Sequence, residues 1–256
     1  MKLDAENAKI LHRALTAAGD ELMAMLESAP LDLLQVALRN PSLGESHLLL
    51  LLKRPDLKEE QLKGVCALAM VESSHSLKLA IARHPATPAA QLLAILPQLY
   101  LFELLNFCLL PGITPDQKLA AERSIIQRLP VTPLGNKLTL ARRATATVLE
   151  SLLKEGDPRV VEACLANPRL KEGAVYQFLR SSSAKAEAIS MVARSQRWQS
   201  RPNLREAILT NPRTPLIWFT LWLPTMGRAE LRRLISSAKL TPQQKKAVEQ
   251  ALKGRL

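Results

Sequence analysis

Five arginines and one tryptophan in the second half of the chain, Arg194, Arg197, Arg201, Arg205, Arg213 and Trp218, are the side chains best equipped for recognition chemistry. Guanidinium forks pair with phosphate or carboxylate oxygens, and an indole beside them can stack on a nucleic-acid base or anchor an apolar side chain. An acidic protein segment is therefore the expected partner, with the phosphate backbone of a nucleic acid as the alternative. Trp218 is expected to be the exposed tryptophan, because 127 positions earlier stands the polar Gln91, whereas Trp198 and Trp222 answer to Val71 and Ile95 and read as core.

Catalytic and metal chemistry have less to work with. The four histidines, His12, His47, His75 and His84, all lie in the first half, and none belongs to a metal or nucleophile motif. There is no Gly-rich phosphate loop, paired-carboxylate motif or nucleophile elbow in the sequence. Cys66, Cys108 and Cys164 are an odd number, far apart and without ligand spacing, and read as small core residues of a reducing compartment. The expectation is a binding protein without enzymatic activity, cofactor or metal.

Charge sharpens the choice of partner. Residues 1–128 hold 13 Lys and Arg against 14 Asp and Glu, a net of −1, while residues 129–256 hold 22 against 9, a net of +13. Part of the excess reads as a solubilising end cap: Leu101, Leu105, Leu119 and Ile126 are answered 127 positions later by Arg228, Arg232, Lys246 and Lys253. The rest is not so explained. Arg194, Arg197, Arg201 and Arg213 stand where Ala67, Met70, Ser74 and Ala86 do, and Arg205 where Lys78 does. Charge gained in one half alone points to a shared groove near Trp218 for an acidic partner.

The elements that must position these residues follow from the same offset. Leu79 to Pro97 and Glu206 to Pro224 share a grammar: an apolar helix end, His84-Pro85 or Asn211-Pro212, then Thr87-Pro88 or Thr214-Pro215 and a new helix. The residue before a proline is driven out of the α region, so the first helix stops there. Thr87 and Thr214 are expected as N-caps, with Pro88 and Pro215 in the first helical position. The corner recurs at Asn40-Pro41 and Asn167-Pro168, so within each half two corners lie 44 residues apart. Five of the eight prolines in the first half recur at the 127-residue offset. His84, where the other three corners have Asn, reads as a turn residue. Ser42 to Glu45, Thr114 to Gln117 and Thr241 to Gln244 have capping-box spacing.

The corner Ala80-Ile81-Ala82-Arg83-His84-Pro85-Ala86-Thr87-Pro88, with Leu92 and Leu93 after it, resembles those of leucine-rich-repeat-variant (LRV) and HEAT-like helical repeats, and Ile208 to Pro215 looks similar. The resemblance covers four corners and their flanking helices, and the 44-residue spacing matches HEAT-like pairs better than the shorter leucine-rich-repeat-variant unit. It implies a curved stack of short helices used for binding. Some leucine-rich-repeat-variant proteins carry an iron–sulfur segment with clustered cysteines, and this sequence has no such cluster. Alkylpurine DNA glycosylases on HEAT-like scaffolds supply a remote alternative, for which Glu206 is the one carboxylate near the arginines in sequence.

Abundant Leu and Ala with 4% aromatics argue for an all-α chain. The expected fold is a right-handed helical-repeat solenoid of HEAT/LRV-like helix pairs, a tandem duplication with units at 1–129 and 130–256 stacked as one superhelix. The first ten residues, MKLDAENAKI, have no apolar segment, and no run approaches the ~18 apolar residues of a membrane span, so a cytoplasmic protein without membrane partners is expected.

Overall fold

Most helix-forming stretches of this chain are too short to hold as isolated helices, so their stability must come from packing against one another. The structure, a computed structural model, describes residues 2–237 and 239–254, with side chains from residue 7 onward; Met1, Ala238, Arg255 and Leu256 lie outside it, as does part of the amino-terminal stretch read for an apolar segment. The described residues form twenty α-helices, three short 3-10 turns and no strand, so the chain is all-α. None of these helices is long and apolar enough to cross a membrane.

The chain divides into two units, Met1–Ile125 and Ile126–Leu256. The first contains α1 (Lys2–Thr16), α2 (Gly19–Ser28), α3 (Leu31–Ala37), α4 (Glu45–Leu51), α5 (Glu59–Cys66), α6 (Ala69–Ser73), α7 (His75–Arg83), α8 (Ala89–Ile95) and α9 (Leu101–Phe107), and the division falls within α10 (Pro115–Arg128). The second contains α11 (Leu134–Arg143), α12 (Ala146–Lys154), α13 (Pro158–Ala166), α14 (Glu172–Arg180), α15 (Ala186–Arg194), α16 (Gln196–Gln199), α17 (Pro202–Leu209), α18 (Leu216–Trp222), α19 (Arg228–Ile235) and α20 (Pro242–Lys253). α5 and α6 are separate helices because Leu68 between them takes an extended ψ of 130°.

Within each unit helices pack on alternate neighbours. In the first, α1, α3 and α5 follow one another in one layer and α2, α4, α7 and α9 in the other; in the second, α11, α13 and α15 form one layer and α12, α14 and α17 the other. The seam between layers is aliphatic. In the second unit Leu140, Val148, Leu149, Leu152, Val161 and Val175 have no exposed surface. Each such side chain contributes roughly 1.5–3 kcal/mol on burial.

All four corners use one hydrogen-bond scheme. Asn40 Nδ2 donates to the carbonyls of Ala14 (2.9 Å) and Ala17 (2.8 Å), Asn167 Nδ2 to Ala141 (2.8 Å), and Asn211 Nδ2 to Leu179 (2.6 Å). In each Asn the Oδ1 accepts, at 2.8 Å, the N–H two residues on. His84 imitates the amide: its Nε2 sits 2.9 Å from the carbonyl of Arg54, and its Nδ1 accepts from Ala86 N at 3.2 Å. The corner residue thus closes its own turn and ties it to a turn or helix end some 23–32 residues earlier.

Capping departs from the expectation in two places. Thr87 and Thr214 are not N-caps: their hydroxyls donate back to the carbonyls of Ile81 and Ile208, and Pro88 and Pro215 take the cap position with extended ψ. The Thr side chain closes the outgoing helix instead of opening the next. At Ser42 to Glu45 the helix starts late, at Glu45, and His47 Nδ1 accepts from Gly44 N (3.0 Å). The boxes Thr114 to Gln117 and Thr241 to Gln244 form as expected, with reciprocal bonds of 3.0 and 3.3 Å and of 2.9 and 3.3 Å.

Gly156 fixes one turn of the second unit. Its φ is +71°, and a Cβ there would stand 2.7 Å from the carbonyl oxygen of Ser183. Only glycine lets the turn before α13 lie against the turn before α15.

Candidate partner-binding site

The arginines singled out by the sequence occupy both ends of α14 and α17. Arg194, Arg197 and Arg201 lie at the end of α15 and around α16, ahead of α17, and Arg205 is in its first turn. Arg213 lies beyond the other end of α17. Their contacts agree. Arg197 reaches the carbonyls of Asn167, Pro168 and Leu170, ahead of α14, while Arg213 donates to the carbonyl of Ser182, after it. The structure therefore brings four of the arginines to one end of α17 and separates Arg213 from them.

Two of the arginines also have folding roles. Arg197 closes the Asn167 corner, donating to its carbonyls with bonds of 2.7, 3.1 and 2.9 Å, and its guanidinium lies 4.3 Å over the Trp198 ring. Gln244 does the same for the next corner, donating to the carbonyls of Asn211, Pro212 and Thr214. Charge at 197 and 213 is thus used by the backbone, contrary to the reading that the fold does not require it. Arg201 stands 3.8 Å from Glu172, a loose exposed pair. Arg194 is exposed and has no side-chain partner among the described residues.

Trp218 is a correction to the sequence reading. It is 7% exposed, no more open than Trp222, and its Nε1 donates to Ser190 Oγ at 3.0 Å while its ring packs 5.3 Å from that of Trp222. The polar Gln91 at the earlier position is an unreliable guide, because an indole N–H satisfied by a serine makes a buried site acceptable. Trp198 is buried as expected, with Nε1 donating to Leu165 O at 3.2 Å.

Arg205 is the arginine set up differently. It is half-buried, its guanidinium lies 5.1 Å from the Trp222 ring, and its Nε is shielded from water with no hydrogen-bond partner. It lines a cleft of about 240 Å³ with Arg233, Glu206, Glu230, Asn203 and Ser200. Glu230 is engaged in capping, its carboxylate accepting from Gly227 N at 2.7 Å. Arg233 is exposed and has no carboxylate partner among the described residues. Sequence reading passed over Arg233, although Asn106 at the earlier position was the signal that could have found it.

Glu206 is exposed and also lines a second cleft, of about 310 Å³, with Arg180, Tyr176 and Lys239. Arg180 donates to the Tyr176 hydroxyl at 3.1 Å and lies 5.5 Å over its ring. Among the described residues no three His, Cys, Asp or Glu side chains gather to hold a metal. The cysteines are unpaired. Burial, with Glu155 nearby, pushes the Cys164 thiol up to about 12, and burial, with Glu122 nearby, does the same for Cys108. Thiols so raised are poor nucleophiles near neutral pH.

In comparisons with known proteins, the chain matches no family model, no curated protein and no solved structure. The site's own geometry is what bears on function.

Proposed function

We propose that this chain is a cytoplasmic, non-catalytic helical-repeat scaffold, a right-handed solenoid of HEAT/LRV-like pairs built by duplication of a unit of 127 residues, whose second copy binds an acidic protein segment. The shared corner scheme at Asn40 and Asn167, and at His84 and Asn211, supports the duplication. The observation that carries the binding role is unspent positive charge: Arg194 and Arg233 are exposed, and they and Arg205 have neither a carbonyl nor a carboxylate partner among the described residues. Surface charge that neither fold nor neighbours use steers an oppositely charged partner.

A peptide is favoured over nucleic acid because, among the described residues, no aromatic ring of the second unit is open. Trp198, Trp218, Trp222, Phe178 and Phe219 are buried, and Tyr176 is half-buried beneath Arg180. Single-strand binding without sequence preference rests on exposed rings for stacking. Fluorescence anisotropy with a labelled glutamate-rich peptide, a DNA duplex and a single strand, each at low and moderate salt, tests the reading. Salt-sensitive peptide binding is expected; binding of a nucleic acid in clear preference to the peptide would overturn it.

A further inference from the structure

Cation content alone does not make a pocket, but a comparison of the two halves locates one. Pro202, Gly227, Glu230, Arg205 and Arg233 stand 127 positions after His75, Tyr100, Glu103, Lys78 and Asn106. In the first unit that place is filled and neutralised. His75 Nε2 lies 2.8 Å from Glu103 Oε2, and the His75 ring packs on Tyr100 with centroids 4.2 Å apart. Lys78 is turned onto the carbonyl of Glu72. In the second unit the imidazole and phenol are absent, Glu230 keeps its capping bond, and the cleft of about 240 Å³ beside Arg205 stands open.

We propose that this cleft is a receptor for a single carboxylate, the docking point for an Asp or Glu side chain of the acidic partner; this rests on the proposed function above. Arg205 is held by the Trp222 face and makes no hydrogen bond to a carbonyl or carboxylate among the described residues, so a carboxylate entering the cleft supplies the charge-assisted partner that the protein does not. Arg233 adds the second positive charge, and Asn203 and Ser200 offer hydrogen bonds from the wall. Glu206 and Glu230 line the same cleft and set its selectivity. The two glutamates balance the two arginines to a formally neutral lining, which disfavours a phosphate dianion more than a monocarboxylate paired directly with Arg205. Met226 and Leu234 give the floor an apolar surface for the methylene groups of the entering side chain.

The test uses the full chain and two labelled probes, an oligo-glutamate peptide and its oligo-glutamine counterpart, followed by anisotropy and by tryptophan emission, since Arg205 lies on Trp222. The glutamate peptide is expected to bind and to shift the emission, and the glutamine peptide to do neither. Arg205→Gln with Arg233→Gln is expected to weaken binding by about tenfold or more, whereas Arg232→Gln, outside the cleft, changes it less than about twofold. A second variant leaves both arginines in place. Pro202→His with Gly227→Tyr rebuilds the first unit's plug, and a Cβ at 227 meets nothing closer than Glu230 Oε2 at 3.6 Å. It should abolish the emission shift while thermal melting stays cooperative. Peptide binding that ignores both double variants overturns the cleft and leaves the basic scaffold standing. Failure of the glutamate peptide to bind the unaltered chain overturns both, as does an oligonucleotide that binds in its place.

Discussion

His84 Nε2 lies 2.9 Å from the carbonyl oxygen of Arg54, whose own guanidinium donates to the carbonyls of Leu26 (3.0 Å) and Ala29 (2.9 Å). Three successive turns of the first unit are thereby tied in series by side-chain to backbone bonds. Because Ala86 N donates to His84 Nδ1, the proton on the ring belongs to Nε2, and the imidazole presents one donor and one acceptor as an asparagine does. His84→Asn should therefore leave stability within about 1 kcal/mol, whereas His84→Ala, which removes both bonds, should cost about 1–3 kcal/mol. Urea denaturation separates the two; equal losses would show that the ring is held by packing alone.

Arg197 and Arg194 are three residues apart and both exposed, yet only Arg197 holds backbone carbonyls, those of Asn167, Pro168 and Leu170. Arg197→Met, which installs the residue found at position 70, should lower stability by about 1–2 kcal/mol through loss of charge-assisted bonds to the three corner carbonyls. Arg194→Ala should stay within about 0.5 kcal/mol. Thermal melts of the two variants make the comparison.

Trp218 should behave as a core residue. Trp218→Phe removes the bond to Ser190 Oγ and part of the ring volume, and should cost about 1–2 kcal/mol. Anisotropy with a single-stranded oligonucleotide should be unaltered by it. A loss of single-strand affinity without loss of stability would restore the stacking role.

The buried thiols predict the alkaline limb of stability. Cys108 and Cys164 are raised from 9.0 to about 12, chiefly by burial, so the folded chain keeps protons that the unfolded chain surrenders. Their contribution is complete below about pH 9 and is lost as pH rises toward about 12. Cys108→Ala with Cys164→Ala should flatten the decline in urea-derived stability over that range relative to the parent. A parallel decline in both proteins would mean that the thiols titrate alike in the folded and unfolded states.

Helix content, the corners and two of the three capping boxes were legible in the sequence, because each depends on residues within a few positions of one another. Leu and Ala set the helices, proline sets their ends, and Thr114 with Gln117, or Thr241 with Gln244, closes a box across a single turn. The direction of Thr87 and Thr214 was not legible, since the same hydroxyl can cap the helix ahead or close the one behind, and local spacing allows either.

What only the tertiary structure decided is the use made of each charge and each ring. Arg197 and Arg205 have the same side chain and lie eight positions apart, but one meets three carbonyls brought from about 30 residues away and the other meets an indole and no acceptor. Trp218 is buried because Ser190, on a different helix, satisfies its N–H. Composition and offset marked these positions as different from their earlier counterparts. Whether a guanidinium is consumed by the fold or left for a partner depends on which backbone ends the packing of helices delivers to it, and that is a property of long-range contacts, not of the neighbours in sequence.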